Sequence, residues 1–211
     1  MTCIISDIAG EYKALIALID KMPEGEVISV GDMIDRGPQS KEVLDYFMQA
    51  PPGHVIMGNH EHMMVDCLNY GGIYSDGVWL WNGGDRTIAS IGSYASAQKY
   101  VNWLAQLPKY IIIDDVFISH SFLRNVDNPV GVSCELSNTR DLLELNILWN
   151  RAEPVRQKFR LQVCGHNSQF GLREWRDKDG LYAICLDDSR HNKLTGLHLE
   201  TMTIYQQDYI K

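Results

Sequence analysis

The sequence predicts an α/β fold, a sheet with helices packed on its faces, in a single domain over residues 1–211. Two observations lead there. The first half alternates short apolar runs of β character with segments whose apolar residues recur at helical intervals. No linker, internal repeat or shift in composition divides the 211 residues, and 45% apolar content with 9% aromatics suffices for one buried core. A disordered chain, a collagen-like repeat and a disulfide-stapled miniprotein are thereby excluded.

Taken in order, Cys3-Ile4-Ile5-Ser6 reads as a strand, and Tyr12 to Asp20 as a helix with Leu15, Ile16, Leu18 and Ile19 on one side. Val27 to Val30 is a second strand. A helix over Ser40 to Ala50 is closed by Pro51-Pro52-Gly53, and His54 to Met57 is a third strand. Glu61 to Asn69 is helical. Residues 71–107, rich in Trp, Tyr and Gly, form a helical insertion or lid beside the sheet, with a helix over Ala95 to Leu107. Ile111 to Ile113 and Val116 to Ser119 flank Asp114-Asp115 as a hairpin. Asn125 to Leu136 is a loop and Leu161 to Cys164 a strand; Tyr182 to Leu186, Leu194 to Leu199 and Thr201 to Tyr205 form an antiparallel meander.

Charge narrows the partners. With 19 Lys+Arg against 27 Asp+Glu, net charge is −8, so a nucleic acid would be repelled. A phosphorylated ligand then needs a local positive site made of arginines or metal. The five cysteines are scattered and form no CxxC pair, as expected of reduced thiols in a cytoplasmic protein. The N-terminus lacks a signal-like pattern, and no run approaches ~18 apolar residues, so no membrane association is expected.

The chemistry lies where strands end. Five apolar runs finish in polar residues able to bind metal: Ser6-Asp7, Gly31-Asp32, Gly58-Asn59-His60, Ser119-His120 and Gly165-His166. In α/β sheets ligands collect at the carboxyl ends of strands, so one site can gather all five. Asp, Asn and His together suit Mn²⁺, Fe or Zn²⁺ better than an all-oxygen Ca²⁺ cage. Singly, Asp7 or Asp32 could equally cap a helix, His120 or His166 could be a structural histidine, and Arg36 or Arg151 a surface ion-pair partner. His54, His62, His191 and His198 match no motif and read as structural. Trp79, Trp81 and Trp103 read as core or lid packing.

Ser6-Asp7-Ile8-Ala9-Gly10, Gly31-Asp32-Met33-Ile34-Asp35-Arg36-Gly37 and Gly58-Asn59-His60-Glu61 resemble the GDxHG, GDxxDRG and GNHE signatures of calcineurin-like metallophosphoesterases of the PPP type, which include small bacterial and phage serine/threonine protein phosphatases. The resemblance continues through Trp81-Asn82-Gly83-Gly84, Trp149-Asn150-Arg151 and Cys164-Gly165-His166-Asn167. It implies a β-sandwich of mixed sheets flanked by helices in αββα layers. It also implies two divalent metal ions, Mn²⁺ foremost, with Asp7 and Asp32 on the first and Asp32, Asn59, His120 and His166 on the second. Ala9 stands where the family has a histidine ligand, so the first site is expected to be under-occupied and activity weakened.

By the same resemblance a metal-activated hydroxide attacks the phosphate, His60 protonates the leaving group, Asp35 orients His60, and Arg36 and Arg151 clamp the phosphate. A phosphoprotein or phosphopeptide is the expected substrate. The alternatives are an inactive form that traps phosphorylated partners, and a hydrolase of dinucleoside polyphosphates or RNA-end phosphates. Asp35 argues against the latter, since diadenosine polyphosphate hydrolases typically lack it.

Overall fold

In a computed structural model that describes residues 1–70, 76–123 and 147–210, the first strand, β1 (Thr2–Ser6), is buried along its whole length. Successive side chains of a strand point to opposite faces, so such a strand must be covered on both sides. Cys3 and Ile5 face a helical layer, packing with Leu15 and Leu18 of α1 (Tyr12–Ile19) and with Val43, Leu44 and Phe47 of α2 (Ser40–Phe47). Ile4 faces the other way, into a cluster with Val116, Ile118, Leu161, Val163, Ile184 and Leu197.

That second cluster lies between two sheets. The first has the order β2-β1-β8-β9, with β2 (Glu26–Ser29) parallel to β1, and β8 (Lys193–His198) and β9 (Thr203–Asp208) antiparallel in turn. The second has the order β3-β4-β5-β7-β6, formed by β3 (Tyr110–Ile113), β4 (Val116–Ser119), β5 (Leu161–Cys164), β6 (Arg173–Asp177) and β7 (Gly180–Cys185). Strands β4, β5 and β7 are mutually parallel, so their carboxyl ends share one edge. Both sheets are mixed and helices flank them, as expected. Among the described residues, Phe117, Leu123, Ile147 and Phe159 cover part of the second sheet's outer face.

The expected hairpin is present: β3 and β4 pair antiparallel about Asp114 and Asp115, whose φ of 45° and 65° suit a two-residue turn between twisted strands. Helix boundaries move by a few residues. The helix expected from Glu61 begins earlier, as α3 (Asn59–Tyr70), and that expected from Ala95 is α6 (Tyr94–Leu104). The described part of 71–107 is otherwise α4 (Asp76–Trp79), a segment at Leu80–Gly84 kinked at Gly83, whose φ of 108° is not helical, and α5 (Asp85–Ile91).

Two expectations fail. His54 to Met57 is no strand: it makes one parallel bridge, Ser29 to Val55, after which the Met57 N–H donates to Pro108 O at 2.9 Å. The C-terminal meander is divided, because β7 belongs to the second sheet while β8 and β9 cross to the first. β6, unforeseen, has an exposed face and little apolar periodicity. The expected loop over Asn125 to Leu136 lies outside the described residues. Among the described residues no helix is long and apolar enough to cross a membrane.

Candidate active site

The turns after β1 and β2 are stitched together by backbone bonds, Ala9 N to Asp32 O at 2.8 Å and Gly10 N to Met33 O at 2.9 Å. Their geometry is costly. Asp7, Ala9, Asp32, Asp35, Arg36 and His166 all have positive φ, between 49° and 73°, which L-residues rarely adopt. Such strain persists only where surrounding contacts over-determine it. Glu61, a residue the sequence argument did not single out, supplies much of that hold: its buried carboxylate accepts the N–H groups of Asp32, Met33 and Gly58, each at 2.8 Å. Burial, with Asp32 nearby, pushes its pKa up to about 7.

Four donor atoms then converge. Asn59 Oδ1 lies 2.9 Å from His120 Nε2 and 2.8 Å from His166 Nδ1. The two ring nitrogens are 3.2 Å apart, and Asp32 Oδ1 is 3.2 Å from His120 Nε2. His120 Nδ1 donates to Val30 O at 2.8 Å, which turns Nε2 toward the cluster. Lone-pair atoms about 3 Å apart around one point fit a cation held at ~2.0–2.2 Å. Asp32, His120 and His166 are buried and form a group able to hold a metal ion.

Charge is divided sharply here. Burial works to raise the Asp32 pKa, but His120 and His60 prevail and hold it well below the usual carboxylate range. Burial opposes protonation of His120, yet Asp32 pushes its pKa up to about 10, whereas burial and then His120 push His166 down to about 3.

Asp7 lies beside this cluster. Its carboxylate accepts the His166 N–H at 3.1 and 3.2 Å and the Ser6 hydroxyl. A Cβ on Gly165 would approach Asp7 Oδ2 to 2.0 Å, so only glycine admits this close packing. Ala9 presents a methyl group and no donor. Asp187, following the carboxyl end of β7, is a buried acid to which the sequence reading gave no role, placing it only in a stretch, Asp187 to Arg190, that stands where relatives often have an Asp-Thr-Gly type loop; burial and then Asp187 raise the Asp7 pKa well above normal. The strand-end rule that found the other residues applies equally after Tyr182 to Leu186. Tyr209 carried no signal in the sequence: its buried hydroxyl has no hydrogen-bond partner among the described residues, and burial followed by Asp7 and Asp187 raises its pKa.

His60, 3% exposed, points Nδ1 at Asp35 Oδ2, 2.5 Å away, and Nε2 at Arg36 Nη2, 2.9 Å away. A guanidinium only donates, so Nε2 accepts and the proton resides on Nδ1. Burial opposes a charge on His60, but Asp32 and Asp35 raise its pKa. Arg36 and Arg151 are both exposed, and Arg151 is tied in through its carbonyl, which accepts from Asn167 Nδ2 at 3.0 Å. All nine residues expected at the site therefore lie around one strand-end edge. Trp79 is buried as expected, but Trp81, read as core or lid packing, is 92% exposed.

A family model described as calcineurin-like phosphoesterase matches residues 2–191. The chain belongs to this family. It is 40% identical over 87 residues to serine/threonine-protein phosphatase 2 of Escherichia coli, covering 39% of this chain and 38% of that protein. It is 25% identical over 169 residues to serine/threonine-protein phosphatase 1 of Salmonella typhimurium, covering 77% and 74%. To a symmetrical bis(5'-nucleosyl)-tetraphosphatase of Photorhabdus laumondii it is 32% identical over 120 residues, covering 54% and 41%. The matched region thus spans about two fifths of two of these relatives and about three quarters of the third. A Saccharomyces cerevisiae protein serine/threonine phosphatase shares the fold, with a TM-score of 0.65 at 16% identity, covering all of this chain and 80% of that one.

Proposed function

We propose that this metallophosphoesterase is a phosphomonoesterase acting on phosphoserine and phosphothreonine side chains, and on phosphotyrosine, in a form weakened by Ala9. One observation carries the reading: the Asp35–His60 pair stands directly beside the Asp32, Asn59, His120 and His166 cluster, with Arg36 at the other edge of the imidazole. Asp32, Asn59, His120 and His166 would hold one divalent ion, and Asp7 with Asp32 a second; Mn²⁺ is our choice for both. When bound, these ions acidify water and neutralise phosphoryl charge. The remaining chemistry belongs to side chains. Arg36 and Arg151 engage non-bridging oxygens, for which planar guanidinium forks are suited, and they offset the net charge of −8. As Arg36 turns to the phosphate it releases His60 Nε2, which takes up a proton and delivers it to the departing alkoxide. Asp35 keeps the opposite ring nitrogen protonated.

Residues 71–107 would serve as the wall or lid of this single domain. Buried thiols at Cys3, Cys164 and Cys185 support a cytoplasmic setting. The similarity to nucleosyl-tetraphosphatases supports dinucleoside polyphosphates as a second substrate class. The test is Mn²⁺-dependent hydrolysis of an aryl phosphate, a phosphoserine peptide and a dinucleoside tetraphosphate by this chain and by Ala9→His, with metal content measured for each. We expect Ala9→His to bind one more ion and to raise kcat on the phosphopeptide by ~10²-fold or more. Preference for the dinucleotide would favour the second class, and inactivity of both proteins on all three would favour a phosphate-binding role.

A further inference from the structure

Asp35 is completely buried, and a buried carboxylate is costly unless its lone pairs are used. His60 accounts for one of them. Two more are met from the helical segment beside the sheet: Trp79 Nε1 donates to Asp35 Oδ2 at 3.1 Å, and Thr87 Oγ1 donates to Asp35 Oδ1 at 2.6 Å. The same threonine hydroxyl accepts the Asp35 backbone N–H at 2.9 Å, closing a ring over one residue, and Ser40 Oγ shares that N–H at 3.1 Å. Asp35 and Arg36 are consecutive positive-φ residues, at 73° and 61°, so the conformation that aims Asp35 at His60 needs external support.

The support is itself tightly seated. Trp79 and Thr87 are fully buried, and a Cβ on Gly84 would come within 2.5 Å of the Trp79 ring. The carbonyl of Gly83, at φ 108°, accepts the Arg36 N–H at 3.4 Å. One short stretch, from Trp79 through the kink at Gly83 to Thr87, therefore holds both the aspartate behind the imidazole and the backbone of the arginine in front of it.

From these contacts we infer that Thr87 and Trp79 are positioning residues for proton transfer: they fix the Asp35 carboxylate so that His60 keeps its proton on Nδ1 and its Nε2 aimed at the leaving group. The inference rests on the phosphatase reading for its chemical consequence, but its geometric content is separately measurable. Proton donation matters most when the leaving group is a poor one, such as the alkoxide of serine, and least for an activated aryl oxide.

The experiment compares the unaltered chain with Thr87→Val, Thr87→Ser and Trp79→Phe, each as the full chain loaded with Mn²⁺ and checked for metal content and melting temperature. The first readout is hydrolysis of a phosphoserine peptide against an activated aryl phosphate. Thr87→Val should lower kcat on the peptide by roughly tenfold more than on the aryl ester, with KM little changed, and Thr87→Ser should restore the ratio. The second is the low-field proton resonance of His60 Nδ1–H, read in the metal-free chain. It should shift or vanish in Thr87→Val, shift less in Trp79→Phe and persist in Thr87→Ser. Equal losses on both esters with an unmoved resonance in Thr87→Val would overturn the inference. Should that variant not fold, an unmoved ratio and resonance in Trp79→Phe would do the same. Absence of hydrolysis by the unaltered chain and by Ala9→His would overturn the phosphatase reading instead, and the resonance would still decide the geometry.

Discussion

Ala9 and His60 show how single side chains set what this site can do. At φ 49°, position 9 already has the left-handed conformation in which histidine is better tolerated than most residues, so Ala9→His adds a ligand without new backbone strain. On the proposed reading its methyl would withhold a nitrogen donor from the ion held by Asp7 and Asp32, while Asp32, Asn59, His120 and His166 would keep theirs for the other. His60 is the test of proton donation. His60→Asn should lower kcat on a phosphoserine peptide by ~10²–10⁴-fold with bound metal unchanged, measured by steady-state kinetics beside elemental analysis. Equal rates would remove His60 from the chemistry. The motifs made Asp7, Asp32, Asp35, Asn59 and His60 legible because each sits at a fixed distance from a glycine within a few residues. Thr87 carried no such mark, since its role depends on Asp35, which is 52 residues away.

At the scale of elements, the strand ends and the first turn of α3 form one unit, and Glu61 is its keystone. Three backbone N–H groups, those of Asp32, Met33 and Gly58, have their donors met by this one carboxylate. Glu61→Ala would leave all three buried and unmet, at about 1–3 kcal/mol each. The expected loss is at least ~3 kcal/mol, a fall in Tm of roughly 6–12 °C by calorimetry. A change under a degree would show that water replaces the carboxylate. Helices were legible from apolar spacing, and β1, β4 and β5 from runs buried on both faces. His54 to Met57 misled because its apolar run looks like a strand, whereas its single bridge and its bond to Pro108 depend on distant chain.

For the whole molecule, two sheets and a helical layer bring residues 7, 32, 59, 120 and 166 to one edge, so a cation held there would couple its binding to folding. Those donors are scattered in the unfolded chain, and an ion that binds only the folded state stabilises it by mass action. Mn²⁺ at about 100 times its Kd should add ~2.7 kcal/mol and raise Tm by roughly 5–10 °C, an effect reversed by chelation. A Tm indifferent to Mn²⁺ would mean that the cluster does not hold it.

The sequence alone determined the α/β class, four of the five strand ends and the motif residues gathered there, because each of those follows from local periodicity and from motifs a few residues long. Tertiary structure alone decided the split of the C-terminal strands between two sheets, the burial of Asp187 beside Asp7, the exposure of Trp81 and the grip of Trp79 and Thr87 on Asp35. These are contacts between segments far apart in the chain, set by which surfaces pack together. Hydrogen bonds of that kind form wherever packing leaves a buried polar group in need of a partner, and no pattern along the chain records which partner that will be.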